Sequence, residues 1–588
     1  MVVSRILEPL LSNYTQIRMI VAGLGVACFL IFLPLFLYRK YGYEEEQSAI
    51  TIGLGLSIGL ALSILFRTIG SSIDISTYSW FQSIGWILAI VAGIMFLGLV
   101  TREQKVANSL SLGDSISIWR TVGLTIGLIG ILMMIYYTFA SPTVVSRWTE
   151  GNYFLIVFLA IIMLTLFVVI VIMKRDLLKR LDPWIIWLGN ALFVISLVLT
   201  IMLNQTDFSR NAYPIDALPT TILNHIPLIL MIFLFPIILV DFMLISREVI
   251  INKPTLGKLA VGFALASMFF LLMIFAHVFT TVYDYIDVVG PFFRDMFWFV
   301  YLIGGLSVAL PVFFVRRGAF IFDPFVLEFR SKIVAIVIMT ITIGTIFAAF
   351  LTAPTPPTLG ETPSITVLTY NIQQGYSEDG IKNIDGQLHV IKAINPDIIG
   401  LQECDTARIA NGNMDVVRYF ANNLNMYSYY GPKTVTGTFG IALLSKYPIM
   451  NPNTFFMSSE GEQAATITAQ IKVGTILLNA FVTHLGNGGP LVQQEEILDR
   501  IEGKNNLILI GDFNFRPGTI QYNKTMSNLN DSWLISQTSN LEYLDDIEYN
   551  INRRIDHIFV SFGVAVSECE YIVSKESDHP AVWAEIIL

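Results

Sequence analysis

Ten apolar stretches, each of roughly 17 residues or more, constrain this chain before any motif does. They lie near residues 19–38, 50–66, 80–100, 121–140, 152–173, 183–203, 222–245, 259–282, 297–315 and 333–353, and each is long enough for a helix to cross ~30 Å of hydrocarbon. Only 14% of the residues are charged, whereas a soluble domain carries about 25%. A bilayer is therefore the expected solvent for much of the chain. The first stretch is too long and too rich in leucine for a cleaved signal, and it reads as a retained span.

Orientation follows from the connections. The five after odd-numbered spans hold 16 Lys and Arg, among them Arg39, Lys40, Lys174, Arg175, Lys179 and Arg180. The N-terminus, the other four connections and the tail after the last span hold 6. The positive-inside tendency thus predicts that both termini, and whatever follows the last span, are extracellular or lumenal. The Asn-x-Ser/Thr sites at Asn13, Asn204, Asn523 and Asn530 fall on that same side.

After Ala353 the chain runs PTPPTLGETPS, whose prolines disfavour helix and strand alike and favour an extended spacer. This gives a polytopic domain over 1–353, a Pro/Thr-rich linker over 354–363 and a second domain over 364–588. In the second domain ITVLTYNI, PDIIGLQE, GIALLSKYPI, TILLNAFVTH, NLILIGDFN, RRIDHIFV and AVWAEIIL read as strands, and IDGQLHVIKAI and MDVVRYFANNL as helices. An α/β domain of single-domain size follows. Residues 361–588 are acidic, with 14 Lys and Arg against 26 Asp and Glu, a charge of −12, while residues 1–360 carry +3. Cys28, Cys404 and Cys569 form neither a disulfide framework nor a metal-ligand spacing, and Cys404 and Cys569 are expected as separate thiols.

Polar residues recur at the ends of the apolar runs: Asn371 after ITVLTY, Glu403 after DIIGLQ, His484 after LLNAFVT, and Asp512 and Asn514 after LILIG. Asp556 interrupts RRIDHIFV, and Asp578 and His579 precede PAVWAEI. A lone strand-end Asp is usually a turn-former. Strand ends, however, are where a rigid scaffold converges carboxylates, amides and imidazoles on one small volume.

The order TYN, QE, TH, GDFN, RIDHIF and SDHP resembles the endonuclease/exonuclease/phosphatase superfamily, to which deoxyribonuclease I belongs. The resemblance covers about residues 364–588 and implies a four-layer sandwich, two mixed sheets inside and helices outside, that hydrolyses phosphate esters with Mg²⁺, or Mn²⁺ in its place. ARIANGNMD, YGPKTVTGTFGIALLSKYPI, SSEGEQA and THLGNGG are similar to the C-terminal domain of multi-span proteins of the GPI-anchor pathway, associated with exchanging anchor lipid for ceramide. The whole chain then reads as a membrane all-α bundle of about ten spans followed by an α/β four-layer sandwich.

Phosphodiester hydrolysis needs charge neutralised on non-bridging oxygens, an activated water and a protonated leaving oxygen. Glu403 suits a hard cation such as Mg²⁺, and the resemblance implies Asn371 and Asp578 near the same ion. His579 is the candidate base or phosphate-polarising group, with Asp556 bonded to its far ring nitrogen. Asp512 and Asn514 would orient water and phosphate, and His484 would serve the leaving group or an equatorial oxygen. The choice of base between the Asp and the His stays open.

Plainer roles compete at several positions. Asp556 has the alternative of an ion pair with Arg553 or Arg554. His557 points to the opposite strand face by period-two alternation, and His389 falls on a solvated helix face. Arg408, Asn411 and Asn413 are candidate head-group contacts or simply a Gly-Asn turn. His225 and His277, near the outer ends of spans seven and eight, are candidates for a membrane site if those helices pack together. Asp241 is expected to reach the cytoplasmic interface or meet Arg247.

A charge of −12 disfavours nucleic acid, whose binding is dominated by Lys and Arg. A site tethered to ten spans favours a lipid-linked phosphate ester as partner, with membrane lipids around it; no protein partner is indicated. The alternatives are a surface-tethered nuclease and a non-hydrolytic lipid-binding or transfer module.

Overall fold

The computed structural model describes residues 15–39, 45–77, 81–103, 116–174, 182–206, 208, 213–280, 289–316, 328–360, 362–404, 406–409, 411–459 and 462–588. Two compact units emerge. One takes in Met1–Leu203, Thr221–His277 and Trp298–Thr352; the other takes in Asn204–Thr220, Val278–Phe297 and Ala353–Leu588.

Among the described residues of the first unit, nine helices are long and apolar enough to cross a membrane. They coincide with nine of the ten apolar stretches. The third stretch is helical too, over Gln82–Glu103, but its apolar described part, Gln82–Met95, is shorter than a span. Tyr153–Met173 shows how such a helix sits. Val157, Ile161, Leu164 and Val168 form a buried stripe, while Phe158, Leu166 and Ile170 remain exposed, as a lipid-facing surface requires.

The seventh stretch divides at Pro236 into Ile222–Leu234 and Pro236–Asn252, because proline lacks the amide proton and its ring clashes with the preceding turn. Asp241 departs from expectation. It is fully buried within Pro236–Asn252 and accepts a hydrogen bond from Asn190 Nδ2 at 3.1 Å. An intramembrane carboxyl is tolerable when a neighbouring helix supplies a polar partner.

The second unit holds fourteen strands among its described residues: β1 (Ile215–Asp216), β2 (Ser364–Asn371), β3 (Ile398–Gln402), β4 (Tyr427–Gly431), β5 (Ile441–Ser445), β6 (Ile449–Phe456), β7 (Ala465–Val473), β8 (Ile476–His484), β9 (Leu507–Asp512), β10 (Leu529–Asp531), β11 (Thr538–Tyr543), β12 (Asp556–Ser561), β13 (Ala565–Val573) and β14 (Ala581–Ile587). They make two seven-stranded mixed sheets, ordered β1-β6-β7-β8-β9-β12-β10 and β11-β13-β14-β2-β3-β5-β4. β1 comes from the connection between two apolar helices and pairs with β6, Ile215 opposite Phe456.

The run LILIG is continuous because β9 is buried on both faces. Ile508 and Ile510 join the core between the sheets with Val367, Ile398, Ile467, Val482 and Ile558. Leu507 and Leu509 pack outward with Ile497, Leu498 and Ile501 of the helix Leu491–Ile501. Gly511 closes the run for a steric reason: a Cβ there would lie 2.1 Å from Thr483 O on the neighbouring strand.

Candidate active site

Strand register gathers the polar residues. In one sheet β8 and β9 run parallel with His484 opposite Asp512, and β12 runs antiparallel with Asp556 opposite the same Asp512. In the other sheet β2 and β3 run parallel with Asn371 opposite Gln402, so Glu403 is the first residue past the row. Glu403 and Asn514 take left-handed backbone conformations, with φ of 50° and 53°, which turn the chain immediately after a strand and hold the side chain at the rim.

Asn371 joins the two rims. Its Nδ2 donates to Asp512 Oδ2 at 3.1 Å and to Glu403 Oε1 at 3.3 Å. Asp512 Oδ2 also lies 3.5 Å from His484 Nε2 and 3.7 Å from His579 Nε2, while Asp512 Oδ1 accepts from Asn514 N at 2.9 Å. Asn514 Nδ2 donates to Leu485 O at 2.8 Å, which fixes the loop after β9 against the loop after β8.

His579 Nδ1 lies 2.9 Å from Asp556 Oδ2. Burial favours the neutral imidazole, but the carboxylates of Asp556, Asp512 and Asp578 outweigh it and push the ring up to about 10. Asp556 is fully buried, and burial raises its carboxyl against the opposing pull of the His579 charge. The pair therefore holds one proton at neutral pH, on the imidazole. Tyr571 OH donates to Asp556 O at 2.6 Å and anchors the strand that carries it.

Asp578 is exposed. Ser577 beside it donates to Asn371 O at 2.8 Å. That hydroxyl, which the sequence reading did not single out, ties the segment before β14 to β2.

Other candidates sit elsewhere. Arg408, Asn411 and Asn413 are all buried. Arg408 Nη2 donates to Thr438 O, Asn411 Oδ1 accepts from Lys382 Nζ, and Asn413 N donates to Arg408 O at 2.7 Å. They shape the loop from within rather than face outward as head-group contacts. His225 and His277 have different surroundings. His225 Nδ1 is 3.1 Å from Thr221 O in its own turn, while His277 is buried against Tyr137 and Tyr301, ring centroids 5.7 and 5.8 Å away.

Arg554 pairs with Asp531 at 2.8 Å and not with Asp556. His557, on the face opposite Asp556, stacks with Phe515 and Phe559 and reaches Phe515 O at 3.3 Å. His389 is exposed, and Cys404 and Cys569 are buried and not bonded to each other.

The residues present fit a hard divalent cation. Asp512, Asp556 and His579 offer ligand atoms within 4.8 Å of one another, and Glu403 Oε1 shares the Asn371 amide with Asp512. Asp556 Oδ1 is buried with no hydrogen-bonding partner among the described residues. Because Asp556 Oδ2 and His579 Nδ1 already satisfy each other, Glu403 is the better-placed anchor for an ion. Carboxylate and amide oxygens suit Mg²⁺ or Mn²⁺ over thiophilic metals.

Several solved structures resemble this chain at low identity. An endonuclease/exonuclease/phosphatase from Bacteroides vulgatus is 20% identical, covering 39% of this chain and all of its own, with a TM-score of 0.33. A mannosyl-6-phosphatase from Bacteroides thetaiotaomicron is 20% identical over 38% of this chain and all of its own, with a TM-score of 0.31. Among curated proteins, Protein cwh43 of Schizosaccharomyces pombe is 38% identical over 111 residues, a match spanning 19% of this chain and 11% of that protein. Residues 362–576 match the family model described as PGAP2IP, C-terminal nuclease-like domain.

Proposed function

We propose that residues 364–588 hydrolyse a lipid-linked phosphodiester with Mg²⁺ at the outer or lumenal membrane face, in a GPI-anchor lipid-remodelling setting. The observation that carries this reading is the convergence of Asn371, Glu403, Asp512, Asp556 and His579 from both sheets on one rim. The lipid-linked substrate draws support from covalent attachment to the apolar helices, nine of them long enough to span a membrane among the described residues, which would keep the site at high effective concentration near a bilayer. The charge of −12 speaks against a nucleic-acid backbone.

Glu403 would hold the cation, with Asn371 and Asp578 beside it. When bound, the ion neutralises charge on a non-bridging phosphate oxygen. His579, already protonated, donates toward a second phosphate oxygen and so cannot accept the proton of water. Asp512 takes that part. Its Oδ1 is fixed by Asn514 N, and its Oδ2, oriented by the Asn371 amide, has a second lone pair with which to orient and deprotonate a water. The water oxygen bonds to phosphorus as one ester P–O bond breaks, and the departing oxygen receives a proton from His484, next to Asp512.

The test is head-group release by the detergent-solubilised full chain from inositol phospholipids, sphingomyelin and GPI-like glycolipids, with single- and double-stranded DNA alongside. Each is run with Mg²⁺, with chelator, and with Glu403→Ala and His579→Ala. Mg²⁺-dependent lipid cleavage lost in both variants is expected. Cleavage of DNA alone would make the protein a tethered nuclease, and no turnover on any substrate would favour a lipid-binding or transfer module.

A further inference from the structure

We propose that His557, on the face of β12 turned away from the reacting groups, is a positioning residue that fixes the turn at Asn514 and through it the carboxylate of Asp512; this rests on the phosphodiesterase reading above. The two faces of one sheet supply the geometry. β12 pairs with β9 so that Asp556 stands opposite Asp512 and His557 opposite Gly511, and side chains alternate between the faces of such strands. The run GDFNF divides in the same way. Asp512 and Asn514 belong to the reacting rim, while Phe513 and Phe515 are buried behind it. His557 is fully buried beside those two rings, with centroids 5.9 Å from Phe513 and 5.8 Å from Phe515.

The strand ladder stops where the rim needs precision. Phe513 N donates to Ile555 O at 2.9 Å, and beyond it Asn514 turns with φ of 53°, a conformation that a residue other than glycine keeps when its surroundings hold it there. Two bonds hold the front of this turn: Asn514 N donates to Asp512 Oδ1 at 2.9 Å, and Asn514 Nδ2 to Leu485 O at 2.8 Å. One bond holds the back. Phe515 O lies 3.3 Å from His557 Nε2, and it has no other hydrogen-bonding partner among the described residues. A carbonyl oxygen only accepts, so Nε2 carries the proton and donates.

The ring is itself held. It stacks on Phe515 and Phe559 with interplanar angles of 26° and 27°, and its Nδ1 lies 3.7 Å from Asp531 Oδ2, a carboxylate oxygen already bound by Arg554 and Tyr522. One strand therefore aligns two reacting groups: β12 presents Asp556 to His579 on one face and braces the loop after Asp512 from the other. Removing the imidazole donor would leave the Phe515 carbonyl buried without a partner, and the turn would relax. Displacing a reacting group by about 1 Å can cost about 10²-fold in rate.

Three substitutions in the detergent-solubilised full chain test this. His557→Phe keeps the stacking and removes the donor, His557→Gln returns an amide near the position of Nε2, and Asn514→Ala removes the front of the turn. On bis(p-nitrophenyl) phosphate, His557→Phe is expected to lower kcat by about tenfold or more with KM within about twofold, and His557→Gln to regain most of the loss. The double variant His557→Phe with Asn514→Ala should lose little more than Asn514→Ala alone, because both act through one turn. Amide hydrogen exchange reads the turn without turnover: exchange over residues 513–516 should rise in His557→Phe while the rest of β9 and β12 keeps its protection. Exchange there as slow as in the wild type would overturn the proposal, as would additive losses of kcat. So would exchange rising along both strands equally in the Phe and Gln variants, the mark of an ordinary core residue. A wild type that leaves the diester uncleaved would remove the phosphodiesterase reading instead, and exchange over 513–516 would still decide whether His557 holds the turn.

Discussion

His579 Nδ1 stands 2.9 Å from Asp556 Oδ2, so one buried carboxylate fixes which edge of the imidazole faces the reacting volume. The opposite nitrogen then points toward Asp512, 3.7 Å away. If the ring acts as a held proton donor, Asp556→Asn should lower kcat by about 10²–10⁴-fold and leave KM nearly unchanged. His579→Ala should do the same, and the double variant should lose little more than either single one, because the two residues act as a unit. Steady-state kinetics on the three variants checks this; additive losses would mean independent roles.

The same pair sets a pH dependence. Because the surrounding carboxylates hold His579 up to about 10, the imidazolium is present throughout the neutral range and is lost only as pH rises through that value. Activity that needs the charged ring should therefore persist into alkaline solution and fall near pH 10. Removing the Asp556 charge should move this basic limb down, toward the ordinary histidine value of about 6.5. A pH–rate profile of Asp556→Asn with an unmoved basic limb would show that the limb belongs to another group.

Asn371 donates to Glu403 and Asp512 at once, which would position two anionic oxygens around a single cation. Asn371→Ala should weaken Mg²⁺ binding by about 10–100-fold, the usual effect of losing a group that orients a ligand. Glu403→Ala should abolish it. Isothermal titration of Mg²⁺ into the full chain reads both without any substrate. Retained Mg²⁺ affinity in Glu403→Ala would move the ion toward the Asp512, Asp556 and His579 group.

Beneath the site, Asp531 accepts from Tyr522 OH at 2.7 Å and from Arg554 Nη2 at 2.8 Å. Burial works to raise its carboxyl, but the hydrogen bond and charge of His557 and the Arg554 guanidinium overcome it and hold the group well below the usual carboxylate range. A folded-state value below the unfolded one means that this contribution is fully present above the unfolded value of about 4 and is lost as pH falls below it. Asp531→Asn should cost about 3–5 kcal/mol by stranding Arg554 in the interior, and it should flatten the acid limb of stability. Hydrogen exchange of β10 and β12 as a function of pH measures both effects.

How much of this was legible in the sequence depends on how far apart the partners lie. The strand-end positions of Asn371, Glu403, His484 and Asp512 could be read because each closes an apolar run, and parallel pairing brings such ends together. The surroundings of Gln463, whose Oε1 accepts from Arg294 Nη2 and Tyr213 OH, could not be read. Its partners Arg294 and Tyr213 lie 169 and 250 positions away, in connections that composition marks only as polar. The Arg408–Asn413 loop misled for a different reason. Polar residues around a glycine suggest an exposed turn, yet the turn folds its side chains inward onto Thr438 and Lys382. Asp241 was misplaced because its partner Asn190 lies on another helix, which helical periodicity within one span cannot show.

The face of the membrane is a separate expectation with a separate test. The described sequons differ in access: Asn204 is buried and accepts from Lys433 Nζ at 2.9 Å, Asn530 pairs within β10 opposite Val560, and Asn523 is exposed on the helix Ile520–Met526. If the 16-to-6 bias of Lys and Arg orients the helices as the positive-inside tendency predicts, Asn523 meets the glycosylation machinery. Expression in a glycosylating eukaryotic host should then give a glycosidase-sensitive mobility shift that Asn523→Gln removes. A shift absent from the wild type, together with a cytoplasmic signal from a reporter fused after Leu588, would put the domain on the inner face. The chemistry argued for Asp512 and His579 would stand unchanged in that case, since it depends only on groups within the domain, but the phosphodiester within reach would belong to the cytoplasmic leaflet.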